Sequence, residues 1–584
     1  FQYMNKFYKT NHTRINIVIT LIISIWAVIY VKLFFLQIIN HKQANNKLLG
    51  NIASYVTLQG QRGIIYDKNS KPLSQNINKF TLWVNPISID TSSNLSKKSI
   101  AFELSKVFNK DEKIYLDKMS KKTQYVWLEK NVREQILSNL PKVDGLNIDK
   151  TISRFYPFSE LASQLIGYTD DRNNGKIGIE AKFNHILNGN KAKQYIPKKN
   201  QIYSNVINSS KEPTKGADIT LTIDIDIQTI LQDELNMSLK NTGANSANGV
   251  IINPYSGDII AMSSIPSIDL NNYQDFPVEF QKNKVITDIY EPGSTYKIVT
   301  MAGKLELINQ FNTRLYHCEN GEYLYYDKIF HDHEKHNELT LTEILAHSSN
   351  IGMVKIADEL GKNNVYKFSR AFGFGSPTGV PLVGESFGIL RPINQWSGIS
   401  APEISIGQEI AINNLQLGMA YCAIANGGYL LKPNIIKKIQ FDDTNFYNES
   451  TKVVRQPISN DTSKKILSML KDAVIIGTGN YAHIKGFDIA GKTGTAQKII
   501  DGEYSKDSFI SSFAAIFPSD SPRYVCIISI DSADYDRGYH WSGISVAPII
   551  KNIFERIIHL ETHNELRINN FANNENITNQ KKIN

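Results

Sequence analysis

A long apolar segment near the start of the sequence places the strongest constraint on what the chain can fold into. Residues 15–31 are almost entirely apolar, and after Lys32 the apolar run resumes over residues 33–39. About 20 such residues are enough to cross a bilayer as a helix. A cleaved signal peptide is the alternative, but the run is longer than a usual signal core and no small-residue cleavage pattern follows it. We therefore expect residues 15–39 to form a membrane anchor.

The length and composition of the chain exclude several classes of protein. At 584 residues the chain is too long for one core, so two or more domains are expected. The net charge of +8 comes from 64 basic and 56 acidic residues that are scattered, without a dense Lys or Arg stripe, which argues against nucleic-acid binding. Cys318, Cys422 and Cys526 lie far apart and cannot build a disulfide framework, so we expect buried thiols.

Hydrophobic periodicity divides the rest of the chain into two parts. Residues 43–216 mix short β-rich stretches with polar turns, and the Lys-rich residues 191–216 have the composition of a connector. In the second part the pattern first predicts a strand over 218–223, a helix that begins near Asp224 or Asp226, and a hairpin over 249–262. Towards the end of the chain it predicts strands over 487–495, 509–517 and 524–531 and a helix over 546–560. Strands from both ends of one domain, with helices between them, predict a single antiparallel sheet flanked by helices. The Asn-rich tail after Leu560 is expected to be disordered.

Three short motifs that carry chemistry follow one another in a fixed order. The first is S-x-x-K, formed by Ser294 and Lys297 directly after a Pro-Gly pair. On a helix this spacing places the serine hydroxyl and the lysine amine one turn apart on the same face. Serine is a poor nucleophile unless a base takes its proton, and lysine can do so only if burial or a nearby positive charge lowers its pKa. A second cation is therefore expected near Lys297.

The other two motifs supply the remaining polar groups of such a site. S-x-N is formed by Ser348 and Asn350, which offer a second hydroxyl for proton relay and an amide to hold Lys297 and the substrate. The third motif is a K-T-G-T run in a strand-like stretch, formed by Lys492, Thr493, Gly494 and Thr495. In this run the lysine would be the second cation, and the glycine would let the substrate backbone approach closely.

Each motif alone is a weak signal. Ser468 and Lys471 form another S-x-x-K in the same chain, and S-x-N recurs elsewhere, for example at 74–76 and 246–248. A solvated helix or loop explains any one fragment. The full set, in this order and with a single K-T-G, indicates a catalytic serine site.

A second polar cluster could bind a metal, because His331 and His333 flank Asp332 and His336 follows. No further Cys or His set with the spacing of a structural metal site follows it in the sequence. We interpret the cluster as a polar loop and expect neither a metal nor a cofactor.

With these motifs the chain resembles the class B penicillin-binding proteins between the apolar segment and about Leu560. Residues 62–69 are similar to the family's R-G-x-I-x-D-R-N-G signature, with Ser70 in place of the usual glycine. Residues 154–157 and 178–180 are similar to conserved stretches of its non-catalytic pedestal. The resemblance implies an α+β transpeptidase fold with an antiparallel sheet flanked by helices, an N-terminal β-rich pedestal and a single transmembrane helix.

The resemblance also implies a serine-type D-Ala-D-Ala transpeptidase that cross-links peptidoglycan and binds β-lactams. The nucleophile that is acylated by the penultimate D-alanine of a stem peptide would be Ser294. The implied roles of the other residues are Lys297 as general base, Ser348 as proton relay, Asn350 as positioning amide, Lys492 as the source of positive potential, and Thr493 and Thr495 as ligands of the substrate carboxylate. The backbone N–H groups of Ser294 and Thr495 would form the oxyanion hole.

Four functional readings stay open. The stretches 168–178, 372–385 and 405–417 look more like the septal, cell-division type than like the elongation type, which is the first alternative. A hydrolytic D,D-carboxypeptidase or β-lactamase would need a base for a deacylating water, and no sequence feature identifies one. A non-enzymatic β-lactam sensor or scaffold would tolerate loss of Lys297 or Lys492, and both are present.

The resemblance finally implies a cellular arrangement. Its expected divisions are a short cytoplasmic tail (1–14), an anchor in the cytoplasmic membrane (15–39), a pedestal of the dimerisation type (40–216), a periplasmic transpeptidase domain (217–560) and a disordered polar tail (561–584). The expected partners are the stem peptides of nascent glycan strands, a membrane glycan polymerase and other division proteins. The polymerase is expected because the sequence before the catalytic domain carries no glycosyltransferase signature.

Overall fold

The computed structural model describes residues 2–39, 53–58, 60–87, 89, 96–142, 145–197, 213–308, 311 and 314–580. The chain divides into two units, one formed by Phe1–Gln61 and Gly189–Gly216 and the other by Arg62–Asn188 and Ala217–Asn584. Residues 40–52 of the predicted pedestal, 198–212 of the predicted connector and 581–584 of the predicted tail lie outside the described residues.

The smaller unit contains the apolar segment as a helix. The helix Gln2–Phe34 continues into a π-helical turn, Phe35–Ile39, and over His12–Ile39 it is long and apolar enough to cross a membrane. The hydroxyl groups of Thr20 and Ser24 donate to backbone carbonyl groups one turn earlier, so the helix itself satisfies them. The unit also contains an antiparallel pair of strands, Ala53–Leu58 and Ala192–Pro197.

The N-terminal part of the larger unit is β-rich, as the sequence predicts. A mixed sheet contains the strands Ile65–Tyr66, Pro72–Val84, Val126–Val132, Leu146–Phe155, Asp218–Leu221, Ile436–Gln440 and Phe446–Asn448. Ile65–Tyr66 pairs parallel with Asp218–Leu221, so the strand predicted near residue 218 joins the pedestal to the catalytic part. Helices of this part are Lys97–Phe108, Glu112–Met119, Glu134–Leu137, Ser163–Ile166, Gly178–Lys182 and Asn184–Leu187.

A buried ion-pair network holds distant segments of the pedestal together. The guanidinium Nε of Arg62 donates to Glu180 at 2.6 Å, and that of Arg154 donates to the other oxygen of the same carboxylate at 2.7 Å. All three side chains are almost fully buried. Arg62 also donates to Asn184, and Arg154 donates to Ser74. One carboxylate therefore faces two guanidinium groups in the interior.

The substitution Glu180→Gln is expected to lower the free energy of unfolding by about 3–5 kcal/mol, because it leaves two buried guanidinium groups without their counter-charge. Thermal unfolding of the full chain in detergent, followed by circular dichroism, would report the change as a lower Tm. Glu103→Gln is a matched control, since Glu103 is exposed and its nitrogen–oxygen distance to Lys106 is 3.7 Å. Equal Tm values for the two variants would contradict a stabilising network.

The catalytic part contains the antiparallel sheet that the sequence predicts. In spatial order its strands are Ala490–Ile500, Glu503–Phe517, Tyr524–Asp531, Ser246–Ile252 and Ile259–Ile265. Strands from the beginning and the end of the domain therefore meet in one sheet. The strand that carries K-T-G-T lies at the edge of this sheet.

Helices cover both faces of the five-stranded sheet. Ile225–Thr242 and Ala547–Gln580 pack on one face, and Asn414–Ala425 and Asn460–Ile475 pack on the other. Along the strand Ser246–Ile252, Ile251 packs in the hydrophobic cluster on the side of Ile225–Thr242 and Ala547–Gln580, whereas Val250 and Ile252 pack in the cluster on the side of Asn414–Ala425 and Asn460–Ile475. This alternation is what a strand buried on both faces requires. Of the two N-cap candidates, Asp224 is the one that caps its helix.

Short elements complete the catalytic part. Its other helices are Lys284–Thr287, Lys297–Ile308, Leu341–Ala346, Asn350–Ala371, Ser400–Ser405 and Ser542–Ser545. Its strand pairs are Tyr316–His317 with Glu338–Leu339, Glu322–Tyr325 with Lys328–His331, and Leu430–Leu431 with Val453–Arg455. The three cysteines are buried, as predicted.

The C-terminal helix differs from its prediction. The sequence predicts a helix over 546–560 and disorder from 561, whereas the helix runs over Ala547–Gln580. Its fully buried side chains end near Ile557, and Glu561 still accepts a hydrogen bond from the hydroxyl of Tyr524. Once a packed segment has nucleated a helix, adding further residues costs little, which accounts for the helical continuation into polar sequence.

Candidate active site

The S-x-x-K motif lies where a 3₁₀ turn passes into a helix. The turn is Gly293–Tyr296 and the helix is Lys297–Ile308, so Ser294 stands just before the helix begins. Its side chain is half-buried, whereas its neighbours are buried. From below the turn, the hydroxyl of Tyr421 donates to the carbonyl oxygen of Thr295 at 3.0 Å. The backbone of the turn is thus fixed while the serine hydroxyl stays accessible.

The S-x-N motif lies at the start of the helix Asn350–Ala371. Ser349 is its N-cap and accepts a hydrogen bond from the backbone N–H of Gly352. Directly before the cap, Ser348 has φ = 62°, in the left-handed region that few residues other than glycine adopt. This conformation brings the hydroxyl of Ser348 to 2.8 Å from the hydroxyl of Ser294. Backbone strain of this kind is typical of functional sites.

The amine of Lys297 is buried and held by three hydrogen bonds. Nζ donates to the hydroxyl of Ser348 at 3.1 Å, to its carbonyl oxygen at 2.6 Å and to the amide oxygen of Asn350 at 2.8 Å. The hydrogen bonds therefore run from Lys297 to Ser348 and from Ser348 to Ser294. The sequence places the lysine one turn from the serine, and the structure places a second hydroxyl between them.

Burial lowers the pKa of both lysines of the site. Burial lowers the pKa of Lys297 from 10.5 to about 7, although the nearby carboxylate of Asp332 acts in the opposite direction. Burial also lowers the pKa of Lys492, and the positive charge of Lys297 adds to that effect. The structure therefore brings together the two lysines that the sequence predicts to be neighbours. An amine with a pKa near 7 can accept a proton at physiological pH.

The K-T-G-T strand lines the site with a buried amine and a row of hydroxyl groups. Nζ of Lys492 lies 3.3 Å from the hydroxyl of Thr478 and 3.4 Å from that of Thr493, and these two hydroxyls are 2.6 Å apart. The hydroxyl of Thr495 lies 3.2 Å from that of Ser542 and accepts its backbone N–H at 3.3 Å. Such an arrangement suits an anion with several acceptor oxygens.

Two glycines let the surrounding backbone pack against the nucleophile turn. A Cβ atom at Gly494 would lie 2.7 Å from the carbonyl oxygen of Pro292 and 2.9 Å from the side chain of Thr295. Gly407 has φ = 83°, and a Cβ atom there would lie 2.1 Å from the carbonyl oxygen of Gly293. In the Cβ direction of Gly494 the space is filled by the nucleophile turn, and close approach of the substrate backbone to this glycine stays a prediction.

Sequence reasoning missed three polar residues of the site, namely Asp332, Thr478 and Ser542. The carboxylate of Asp332 accepts hydrogen bonds from the hydroxyl of Ser349 at 2.6 Å and from the backbone N–H groups of Asn350 at 2.5 Å and Ile351 at 3.0 Å. It therefore holds the start of the S-x-N helix. Its place between two histidines was the available signal, whereas Thr478 and Ser542 stand in none of the three motifs.

The four residues of the histidine cluster do not meet at one point. The backbone carbonyl of His331 accepts from Asn350 at 2.9 Å, and the ring of His333 lies 4.6 Å from that of Trp541. His336 instead meets two residues outside the predicted cluster, and its candidate ligand atom lies within 4.8 Å of those of Glu334 and His347. Among the described residues, these three side chains could hold a metal ion.

Two family models match the chain, and their limits agree with this architecture. The model described as penicillin binding protein transpeptidase domain matches residues 248–555, which include all three motifs. The model described as penicillin-binding protein dimerisation domain matches residues 57–221, which include the buried network of the pedestal.

Curated and solved proteins are similar over most of the chain. Peptidoglycan D,D-transpeptidase FtsI of Buchnera aphidicola (strain Bp) is 30% identical over 570 residues, covering 95% of this chain and 96% of its own. Stage V sporulation protein D of Bacillus subtilis is 29% identical over 560 residues, covering 93% and 85%. The crystal structure of penicillin binding protein 3 from Mycobacterium tuberculosis, complexed with aztreonam, has a TM-score of 0.67 at 25% identity, covering 87% and 97%.

Proposed function

Since the chain belongs to the class B penicillin-binding proteins and is a peptidoglycan D,D-transpeptidase, we propose that it forms its acyl-enzyme on Ser294 and acts in septal wall synthesis during cell division. The observation that carries this choice of nucleophile is the hydrogen-bonded series from Ser294 through Ser348 to Lys297, whose buried amine has a pKa of about 7. A base of this pKa can activate a serine hydroxyl at neutral pH.

Acylation begins when the Ser294 hydroxyl gives up its proton. With Lys297 neutral, Ser294 donates to Ser348 and Ser348 donates to the amine, so one proton moves along each hydrogen bond as Oγ attacks the carbonyl carbon of the penultimate D-alanine. The new bond is an ester between Oγ and that carbon. The amide bond to the terminal D-alanine breaks, and its departing nitrogen takes the proton from Lys297.

The negative oxygen of the tetrahedral intermediate would be stabilised by the backbone N–H groups of Ser294 and Thr495. The K-T-G-T strand is at the edge of its sheet, so one side of its backbone is directed away from the neighbouring strand. Close packing at Gly494 holds this strand against the nucleophile turn. Two backbone donors fixed in this way need no reorganisation when the charge develops.

The substrate carboxylate would bind between Lys492 and the hydroxyls of Thr493 and Thr495. The pKa of Lys492 is lowered by burial and by the charge of Lys297. A bound carboxylate acts in the opposite direction, because a nearby negative charge favours the protonated amine. Substrate binding would therefore favour the protonated form of Lys492, while Asn350 keeps Lys297 in place.

Acylation is expected to depend on pH through Lys297. Because its pKa is lowered to about 7 and only the neutral amine accepts a proton, the rate should rise about tenfold per unit below pH 7 and level off above it. Stopped-flow acylation of the full chain in detergent by a chromogenic β-lactam, between pH 5 and 9, would measure the profile. A rate that stays constant from pH 5.5 to 8 would contradict a base with this pKa.

The acyl-enzyme would be resolved by the amine of a second stem peptide, which makes the cross-link. A hydrolytic carboxypeptidase or β-lactamase would instead use water. Incubation of the full chain with a fluorescent penicillin, mass mapping of the labelled residue and a chase with unlabelled drug would distinguish them. A stable adduct on Ser294 is expected. Rapid release would favour a hydrolase, and an adduct elsewhere or none at all would refute the assigned nucleophile.

The septal role rests on sequence stretches rather than on the chemistry, which septal and elongation enzymes share. Residues 168–178, 372–385 and 405–417 are similar in spacing to the septal type. An enzyme of elongation is the alternative. Fluorescent fusion of the full chain in dividing cells would decide between them, because midcell bands and filamentation on depletion are expected for a septal enzyme. Signal along the lateral wall with rounded cells would favour elongation.

The helix His12–Ile39 would anchor the chain in the cytoplasmic membrane. We place residues 1–14 in the cytoplasm and the pedestal (40–216) and transpeptidase domain (217–560) in the periplasm, where nascent glycan strands carry their stem peptides. The proposed partners are a membrane glycan polymerase, which supplies those strands, and other division proteins.

A further inference from the structure

Three side chains of types that commonly bind metals converge beside the S-x-N motif. Glu334 and His336 lie in the loop after the strand Lys328–His331, and His347 is the C-cap of the helix Leu341–Ala346. One carboxylate oxygen of Glu334 lies 3.1 Å from Nε2 of His336 and 3.2 Å from Nδ1 of His347. The two imidazole rings are 4.7 Å apart.

The spacing of these ligand atoms fits a tetrahedral metal ion. Zn–N and Zn–O bonds are about 2.0–2.2 Å long, so neighbouring ligands of a tetrahedral zinc site stand about 3.3 Å apart. Two of the three pairs are already at that spacing, and the candidate ligand atoms all lie within 4.8 Å of one another. Two histidines and one glutamate form a ligand set known from zinc sites that keep a position open for water. We propose that Glu334, His336 and His347 bind one Zn²⁺ ion.

The structure shows why the sequence did not predict this set. In the run from His331 to His336, Asp332 is committed to the start of the following helix, and His333 packs on Trp541. Of the four residues in the predicted cluster, only His336 lies beside other potential metal ligands, Glu334 and His347. The second nitrogen comes from His347, which the loop and one short helix separate from His336 in sequence.

A bound ion would act on the turn at Ser348 through residues that are adjacent to it in sequence. His347 directly precedes Ser348, whose φ of 62° brings its hydroxyl to the nucleophile. The loop that carries Glu334 and His336 also carries Asp332, which holds Ser349. The ion would therefore link the segments on both sides of this turn and restrict their separation. The proposal concerns this structural role and is independent of which bond the enzyme makes.

Binding of the metal alone tests the proposal. The full chain, in detergent and without a histidine tag, would be titrated with Zn²⁺ against a chelating dye, with Tm recorded in excess chelator to check folding. We expect one equivalent of Zn²⁺ to bind. His336→Gln and His347→Asn should each weaken binding by at least about 100-fold, because loss of a residue that only supports a metal ligand already costs up to about that much. His317→Gln is the matched control, because His317 pairs with a single glutamate, Glu338, at 3.2 Å and should leave binding unchanged.

The outcomes separate this site from adventitious binding. The proposal would be overturned if both ligand variants bound Zn²⁺ as tightly as the wild-type chain, or if His317→Gln weakened binding as much as they do. A wild-type chain that binds no Zn²⁺ would also overturn it. If a ligand variant does not fold, Co²⁺ added to the wild-type chain decides, because a tetrahedral site gives intense visible absorption and an octahedral aqua ion does not. If Zn²⁺ does not bind, the proposed function still stands, because penicillin labelling of Ser294 tests it separately.

Discussion

Ser294→Ala is expected to abolish covalent labelling of the full chain by penicillin and to leave its fold intact. The substitution removes the hydroxyl that lies 2.8 Å from the hydroxyl of Ser348. It leaves Ser348 and Lys297, the other two residues of the proton path, unchanged. Ser294 is half-buried and its neighbours hold the turn, so Tm should change little. Gel fluorescence after incubation with a fluorescent penicillin would measure labelling, and circular dichroism would check the fold.

The second S-x-x-K of the chain provides a matched control. Ser468 is exposed on the helix Asn460–Ile475, and Lys471 lies 2.5 Å from a carboxylate oxygen of Asp488, which raises the pKa of the amine. A charged lysine cannot accept a proton, so Ser468→Ala should label as the unmodified chain does. Labelling that survives in Ser294→Ala, or disappears in Ser468→Ala, would place the nucleophile elsewhere.

These two motifs mark the limit of what the sequence reveals about the site. Both have the same spacing and both lie at or within a helix, so residue types alone cannot rank them. Their difference is environmental: Lys297 is buried with a lowered pKa, whereas Lys471 is paired with Asp488 and its pKa is raised. Burial is set by the whole fold, and the sequence favours Ser294 through the order of the motifs and the Pro-Gly pair before it.

The fold was more predictable than the contacts across it. Periodicity identified the strands of the five-stranded sheet and the helix that follows Asp224. It could not show that Arg62 and Glu180, which are 118 residues apart, share one ion pair with Arg154. Local patterns report which face of an element is apolar, but long-range pairing of polar groups depends on how the elements pack.

The site was predicted as a set of residues rather than as a path. The sequence supplied Ser294, Lys297 and Ser348, and the structure added the order in which their hydrogen bonds run. Asp332 escaped because it acts on backbone N–H groups, which have no signature in side-chain motifs. Sequence reasoning therefore finds side chains that act on substrate more readily than those that position other residues.

Lys297→Arg is expected to slow acylation by about 10²–10⁴-fold, the range that a general base contributes. Arginine keeps the positive charge, but its pKa lies too high for it to accept the proton of Ser294 through Ser348. The residual rate should also lose its rise near pH 7, because the group that titrates there is gone. Stopped-flow acylation between pH 5 and 9 would measure both effects.

A second buried lysine on the same helix provides a control that distinguishes loss of the general base from the effect of the larger arginine side chain. Lys304 is almost fully buried and its amine lies 2.6 Å from Glu359, so it forms a structural ion pair away from the S-x-N turn. Lys304→Arg introduces the same extra volume, which costs about 1–3 kcal/mol of stability in a packed interior, but it retains a cation for Glu359. This variant should lower Tm and keep the wild-type pH profile of acylation. If Lys297→Arg acylates at a near-normal rate, or if both variants slow acylation equally, Lys297 is not the base, and the proton of Ser294 leaves by another route.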